Sequence, residues 1–204
     1  MYDRLHWLGH DSFRIDAEMT IYIDPWKLAK NSPPADLILI THEHHDHFSK
    51  EDIEKIRRRD TQVVVTPTVA QGLNGAVREV HPGDRVELEG VTVEVLPAYN
   101  IEKRFHPRSA GHVGYVIAVD GLRIYHAGDT DAIPEMRDLA PDIALLPVSG
   151  TYVMNPDEAL EAIRLLQPKL VVPMHYGDIV GTLADAERLR SLSDVPVVIL
   201  SSER

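Results

Sequence analysis

Leu37-Ile38-Leu39-Ile40-Thr41-His42-Glu43-His44-His45-Asp46-His47-Phe48-Ser49 is the stretch from which the fold is read. Its four consecutive apolar residues predict a strand covered on both faces. Ser49 is placed to cap a helix over Lys50–Arg59 that buries Ile53 and Ile56. Between strand and helix, four of the chain's 11 histidines fall within six residues. The spacing His-x-His-x-Asp-His thus sits on a strand-to-helix loop, where α/β proteins gather functional groups. In extended backbone, residues i and i+2 project to the same side. His42 and His44 can therefore grip one ion, while Asp46 and His47, beyond a bend, can reach a second. Zinc takes about four ligands, so each ion requires more from distant sequence.

Two other strand ends answer that requirement. His126-Ala127-Gly128-Asp129-Thr130 closes the run Arg123–His126 and leads toward another predicted helix. Asp129 is a natural bridging carboxylate, and Gly128 leaves the backbone room to approach metals. Pro173-Met174-His175-Tyr176-Gly177 closes the apolar run Leu170–Val172 and puts His175 at a third strand end.

Further β-type runs are Arg4–Leu8, Met19–Ile23, Gln62–Thr66, Arg85–Glu89, Val91–Leu96, Val113–Val119, Ile143–Pro147, Lys169–Met174 and Val195–Leu200. Gly90 and Asp120-Gly121 are hairpin signals. A helix follows Asn155, with Pro156 in its first turn, Glu158 as capping-box acid and Pro168 as its stop. Leu183–Leu192 is another. This order predicts one mixed α/β domain over residues 1–204, its helices covering sheets. Arg57-Arg58-Arg59 reads as complementing the carbonyl end of the helix before it.

Composition narrows the function. The chain has 204 residues and a formal charge of −11, which works against gripping nucleic acid by its phosphates. It contains no cysteine, which excludes disulfides, thiolate metal sites and a thiol nucleophile. No apolar run approaches the ~18 residues of a membrane span, and Met1–His10 has no signal-peptide pattern. The expectation is a cytoplasmic protein with no nucleic-acid or membrane partner, acting on a small molecule. Homo-oligomerisation is left open.

These stretches, with Trp7–Phe13, Ile23-Asp24-Pro25 and Pro97–Asn100, resemble the metallo-β-lactamase fold superfamily. The likeness is to its small metal-dependent hydrolases, the UPF0173-like and ascorbate-phosphate-lactonase-like branch, and it covers almost the whole chain. It implies a four-layer αβ/βα sandwich with a binuclear metal centre along one edge of the sheets. It assigns His42 and His44 to a first metal, Asp46, His47 and His175 to a second, and Asp129 to both. The ions would be zinc, with manganese or iron as alternatives.

One ligand departs from the pattern. Relatives often carry histidine in a Pro-Ala-x-His stretch where this chain has Asn100, and an amide is a poor zinc ligand beside imidazole. His106 is the preferred substitute, because the irregular segment Ala98–Gly111 can fold over the site. His112, at the head of a strand, or a water are the alternatives. The resemblance places His10 near the metals, to bond substrate or support a ligand, and lets Asp24 orient a ligand imidazole. His45 should point away, His6 and His81 are ordinary, and Tyr99 and Tyr176 pack.

The implied chemistry is attack of metal-activated hydroxide on an ester of a small, phosphorylated metabolite, as in a phosphodiesterase. Asp46 would orient the nucleophile, and His10, His126 or a water would protonate the leaving group. A lactonase is the alternative within hydrolases. Outside them stand a di-iron redox protein, which usually has Glu for a first-motif histidine, and a non-catalytic metal or ligand sensor, for which Asn100 is the best support.

Overall fold

The computed structural model describes residues 2–204, arranged as two six-stranded sheets packed face to face. The first sheet runs in sequence order through β1 (Leu5–Trp7), β2 (Phe13–Asp16), β3 (Thr20–Ile23), β4 (Leu37–Ile40), β5 (Gln62–Val65) and β6 (Arg78–Glu79). The second runs in reverse, from β12 (Leu170–Met174) through β11 (Ile143–Pro147), β10 (Leu122–His126), β9 (Val113–Val119) and β8 (Val91–Pro97) to β7 (Arg85–Leu88).

Alternation of side chains across each strand creates the layers. In β4, Leu37 and Leu39 enter the core between the sheets, whereas Ile38 and Ile40 face outward. There they meet Ile53 and Ile56 of α1 (Lys50–Ile56) and Val69 of α2 (Pro67–Ala70). Ile21 and Ile23 of β3 go inward and Tyr22 outward by the same rule. On the far side of the second sheet, α3 (Pro156–Leu166) and α4 (Leu183–Leu192) pack on each other and against β11 and β12. The result is the four-layer αβ/βα sandwich.

Local chemistry explains the elements. Asn155 accepts from the N–H groups of Asp157 and Glu158, and Glu158 returns a bond to the Asn155 N–H, a complete capping box. At Asp120-Gly121 both turn residues have positive φ, 48° and 76°, as a two-residue turn between β9 and β10 requires.

Several expectations are corrected. Helix α1 stops at Ile56, so the arginines lie beyond it, and Arg57 instead donates to the carbonyls of Asn74 and Ala76. No helix follows Thr130; only a short 3-10 turn, Pro134–Met136, forms there. Val195–Leu200 runs beside β12 with a single bridge, Val171 to Val197, because Pro196 on one side and Pro173 of β12 on the other have no N–H to extend the ladder. The strands β2 and β6 and helix α2 were not expected. No helix of the described residues is long and apolar enough to cross a membrane.

The sheets are joined beneath one edge. Tyr115 Oη donates to the Ile40 carbonyl at 2.7 Å, and the Val113 N–H reaches the Thr41 carbonyl at 3.2 Å. The strands β3 and β4 of one sheet and β8, β10 and β12 of the other all end at that edge.

Candidate metal centre

Asp24 follows β3, the histidine motif follows β4, Asn100 follows β8, Asp129 follows β10 and His175 follows β12. The loop from β1 to β2 adds His10 and Asp11, and the His175 N–H bonds the His10 carbonyl at 3.2 Å. In the motif itself, the His44 carbonyl accepts from the N–H groups of His47 and Phe48, which is the expected bend.

Two clusters form. His42, His44, His106 and Asp129 make one; His10, Asp11, His47 and His175 make the other. His42 Nε2 lies 3.0 Å from His44 Nδ1, which lies 3.1 Å from His106 Nε2. Three ring nitrogens directed at one another cannot each hold a proton, whereas one shared cation satisfies all three. Asp129 links the clusters. Its Oδ2 lies 3.2 Å from His106 Nε2 and 3.4 Å from His175 Nε2, and its Oδ1 lies 3.4 Å from His47 Nε2.

The outward nitrogens are fixed. Asp24 Oδ2 accepts from His47 Nδ1 at 2.8 Å and from the Thr41 hydroxyl at 2.6 Å. That hydroxyl, having donated, accepts from His42 Nδ1 at 3.0 Å. One carboxylate thereby sets the tautomer of two imidazoles. His106 Nδ1 donates to the Tyr152 carbonyl at 3.2 Å, and His175 Nδ1 lies 2.8 Å from Ser149 Oγ. The Nε2 atoms of these four rings are left for the centre. His10, Asp24, His106 and His175 all adopt left-handed backbone, with φ of 52°, 46°, 53° and 59°. Such a concentration of unfavourable conformation is typical of functional sites.

Buried atoms with no hydrogen-bond partner include His47 Nε2, both oxygens of Asp11, Asp129 Oδ1 and His10 Nδ1. An orphaned buried group is costly, and these five atoms all belong to the two clusters. The donor set therefore fits divalent cations.

Electrostatics agree. Burial pushes His42 well below its ordinary range, with the neighbouring His47 adding to the effect. Burial also disfavours charge on His47, but Asp129, Asp24 and Asp11 outweigh it and hold the ring well above its ordinary range. His175 behaves likewise, burial being overcome by Asp129 and Asp11, and is raised to about 9. Burial drives Asp11 well up, whereas for Asp129 it is overridden by His175 and His47, and that carboxyl is held well down. Buried imidazoles and carboxylates are thus sharing protons where cations would neutralise them.

The expected residues fall as follows. His42, His44, His47, His106, Asp129 and His175 converge. His106 and not His112 joins the first cluster; His112 stacks on His42 with ring centroids 4.6 Å apart and faces Glu43. Asn100 is a tether, its Nδ2 donating to the carbonyls of Phe105 and Tyr152 at 2.9 and 2.6 Å. Asp46, expected among the ligands of the second metal, stands beside the second cluster instead, its Oδ2 3.9 Å from His47 Nε2 and accepting from His10 Nε2 at 3.0 Å, while Asp11 takes the place within the cluster. His126 is corrected. It is fully buried, its Nε2 donates to the Asp11 carbonyl and its Nδ1 accepts from the Gly128 N–H, so no ring nitrogen is left to protonate a leaving group. Gly128 is also reread: a Cβ there would come within 2.8 Å of the Val113 carbonyl on neighbouring β9 and 3.4 Å of Thr41 beyond β4, so its smallness serves packing at this edge. Tyr99 bonds Glu135 and Tyr176 stacks on Trp7, as packing residues. Asp11 was missed; it stands beside His10 in Gly9-His10-Asp11-Ser12 with no spacing of its own to mark it.

A cavity of about 250 Å³ opens onto the centre, lined by His44, His106, Asp129 and His175, with Asp46 and His45 beside them and Phe105, Tyr152 and Ile179 around the rest. A larger hollow of about 640 Å³, beside the Arg4–Asp120 pair, carries no histidine.

Residues 4–175 match the model of the beta-lactamase superfamily domain, and the chain belongs to that superfamily. Its relatives narrow the class. It is 34% identical to a UPF0173 metal-dependent hydrolase of Thermococcus onnurineus, over 93% of this chain and 91% of that one. A solved structure from Parabacteroides distasonis superposes with a TM-score of 0.87 at 35% identity, covering 96% of this chain and 91% of that one. Igni18, a metallo hydrolase from Ignicoccus hospitalis, superposes at 0.82 with 28% identity, covering 98% and 95%. The chain is a metal-dependent hydrolase.

Proposed function

We propose that this centre hydrolyses an ester bond of a small molecule, using two divalent cations, zinc before manganese or iron. His42, His44 and His106 would hold one cation, Asp11, His47 and His175 the other, and Asp129 both. When bound, a metal pair would supply Lewis acidity and make a water acidic enough to ionise near neutral pH. The chain's own groups do the rest. Asp24 and Thr41 hold the lone pairs of His42 and His47 inward. Asp46, at the cavity and bonded to His10, is placed to orient the attacking water and pass its proton toward the leaving oxygen. Burial raises the Asp46 carboxyl, but the His10 bond and the nearby His47 outweigh it and keep it ionised.

The observation that carries this reading is the reach of Asp129 to imidazoles of both clusters. The family motifs favour a phosphodiester-like substrate on a phosphorylated metabolite. The cavity gives a specific reason to keep a lactone or carboxylic ester as the second reading, since no lysine or arginine lines it. Metal analysis with a panel of phosphodiester, lactone and thioester substrates tests the function. Asp129→Ala should lose both bound metal and turnover, and unchanged metal content would reject its bridging role. Iron with oxygen or peroxide turnover would point to redox chemistry, and bound metal with no turnover anywhere to a sensor.

A further inference from the structure

Resting on the hydrolytic reading above, we propose that the cavity selects an uncharged carboxylic ester or lactone bearing a short apolar group, with Phe105, Tyr152 and Ile179 as the specificity-determining residues.

Phe105 is 44% exposed and Ile179 43%, large apolar side chains left in water on either side of one cavity. Exposed apolar surface grouped around a concave site marks ligand contact. The Phe105 ring meets Tyr152 edge-on, centroids 4.7 Å apart. The wall is built in advance, because Asn100 Nδ2 holds the carbonyls of both residues. Preorganisation of this kind reduces the ordering cost of binding.

Charge points the same way. Of the cations on the loop carrying Phe105, Lys103 is paired with Asp131 and Glu158, and Arg108 with Glu135. Arg104 does not line the cavity. Across the site, Lys27 and Arg204 both pair with Asp178. The carboxylates of Asp11, Asp46 and Asp129 offset three of the four charges of two divalent cations, and no lysine or arginine lines the cavity to add to the one that remains, so a phosphate dianion would not be neutralised there. At about 250 Å³, the cavity has room for roughly eight water-sized atoms, which suits an apolar group of a few carbons.

The reaction balances as simple hydrolysis. A bond forms from the water oxygen to the acyl carbon, and the acyl carbon–oxygen bond breaks with its electron pair on the leaving oxygen. That oxygen takes up a proton from the water, giving an acid, ionised at neutral pH, and an alcohol.

The test compares 4-nitrophenyl acetate and butyrate, γ-butyrolactone and γ-caprolactone, and bis(4-nitrophenyl) phosphate on the metal-loaded protein. Acetate and butyrate binding is measured alongside by calorimetry. The expected kcat/KM rises about fourfold per added methylene and exceeds that for the phosphodiester. Phe105→Ala and, away from the His106 loop, Ile179→Ala should flatten the chain-length dependence through KM, with metal content unchanged. Faster phosphodiester cleavage, with acyl rates and carboxylate binding indifferent to chain length, overturns this specificity and leaves the hydrolytic reading standing. No turnover of any substrate, with butyrate still bound more tightly than acetate, overturns the hydrolytic reading and upholds the apolar site.

Discussion

Asp24 shows how one buried carboxylate organises a centre it does not line. Asn at this position keeps an oxygen for the Thr41 N–H, bonded by Oδ1 at 2.8 Å. It also turns a donor toward the Thr41 hydroxyl and His47 Nδ1, both of which need an acceptor. Asp24→Asn should therefore weaken metal binding about 10–100-fold, read by competition with a chromogenic chelator. His126 predicts the reverse pattern. Its ring closes two buried backbone bonds, so His126→Ala should cost about 1–3 kcal/mol of stability in denaturant melts, with metal stoichiometry retained. Residue spacing made His42, His44, His47, Asp129 and His175 legible, because ligands for one ion must share a side of a loop or a strand end. Asp11 was not legible. Its importance lies in being buried against His47 and Asp129, a fact of three-dimensional proximity with no local pattern.

The elements that could be read beforehand were those with their own punctuation. Helix α3 carries its cap, its first-turn proline and its apolar face in sequence, and Ala159, Ile163 and Leu166 are buried as that pattern requires. Asn155→Ala should lower stability by about 1 kcal/mol, seen as a reduced Tm. Glu158 also holds Lys103 of the loop that brings in His106, so the same variant should raise the rate of proteolytic nicking near Lys103. Strand β2 escaped notice because Arg14 and Asp16 interrupt its apolar residues; the two pair with each other at 2.8 Å. The opposite error at Val195–Leu200 came from trusting β-branched residues around a proline that cannot donate.

For the molecule as a whole, the centre dominates the response to pH. In the metal-free protein, His175 is raised to about 9 from the ordinary 6.5. The stability it contributes is fully present below about 6.5 and is lost as pH rises toward 9. Burial, opposed by the Asp46 bond, lowers His10 to about 4, so stability also declines as pH falls from 6.5 toward 4. Chelated protein should thus show its highest Tm near pH 6.5. Saturation with zinc should remove the alkaline decline, since cations then replace protons on the raised imidazoles. Thermal melts across pH, with chelator and with zinc, check both limbs.

At this scale the run of strands and helices announced one mixed α/β domain with helices covering sheets, while the four-layer sandwich came with the family resemblance, carried by histidine and aspartate motifs at three strand ends. The tether at Asn100 is a different matter, since it acts through the path of a loop. His106 and Phe105 are neighbours on that loop, and both are anchored by the same amide through Phe105 and Tyr152. With the roles proposed above for His106 and Phe105, cation uptake and substrate choice would be mechanically joined. A descendant that lengthens or reshapes this segment to admit a new molecule would also move the His106 nitrogen proposed to hold the first ion. The Ile179 side offers no exemption, since Ile179 lies on the loop that begins at His175, so both Phe105 and Ile179 ride on segments that also present an imidazole to the centre.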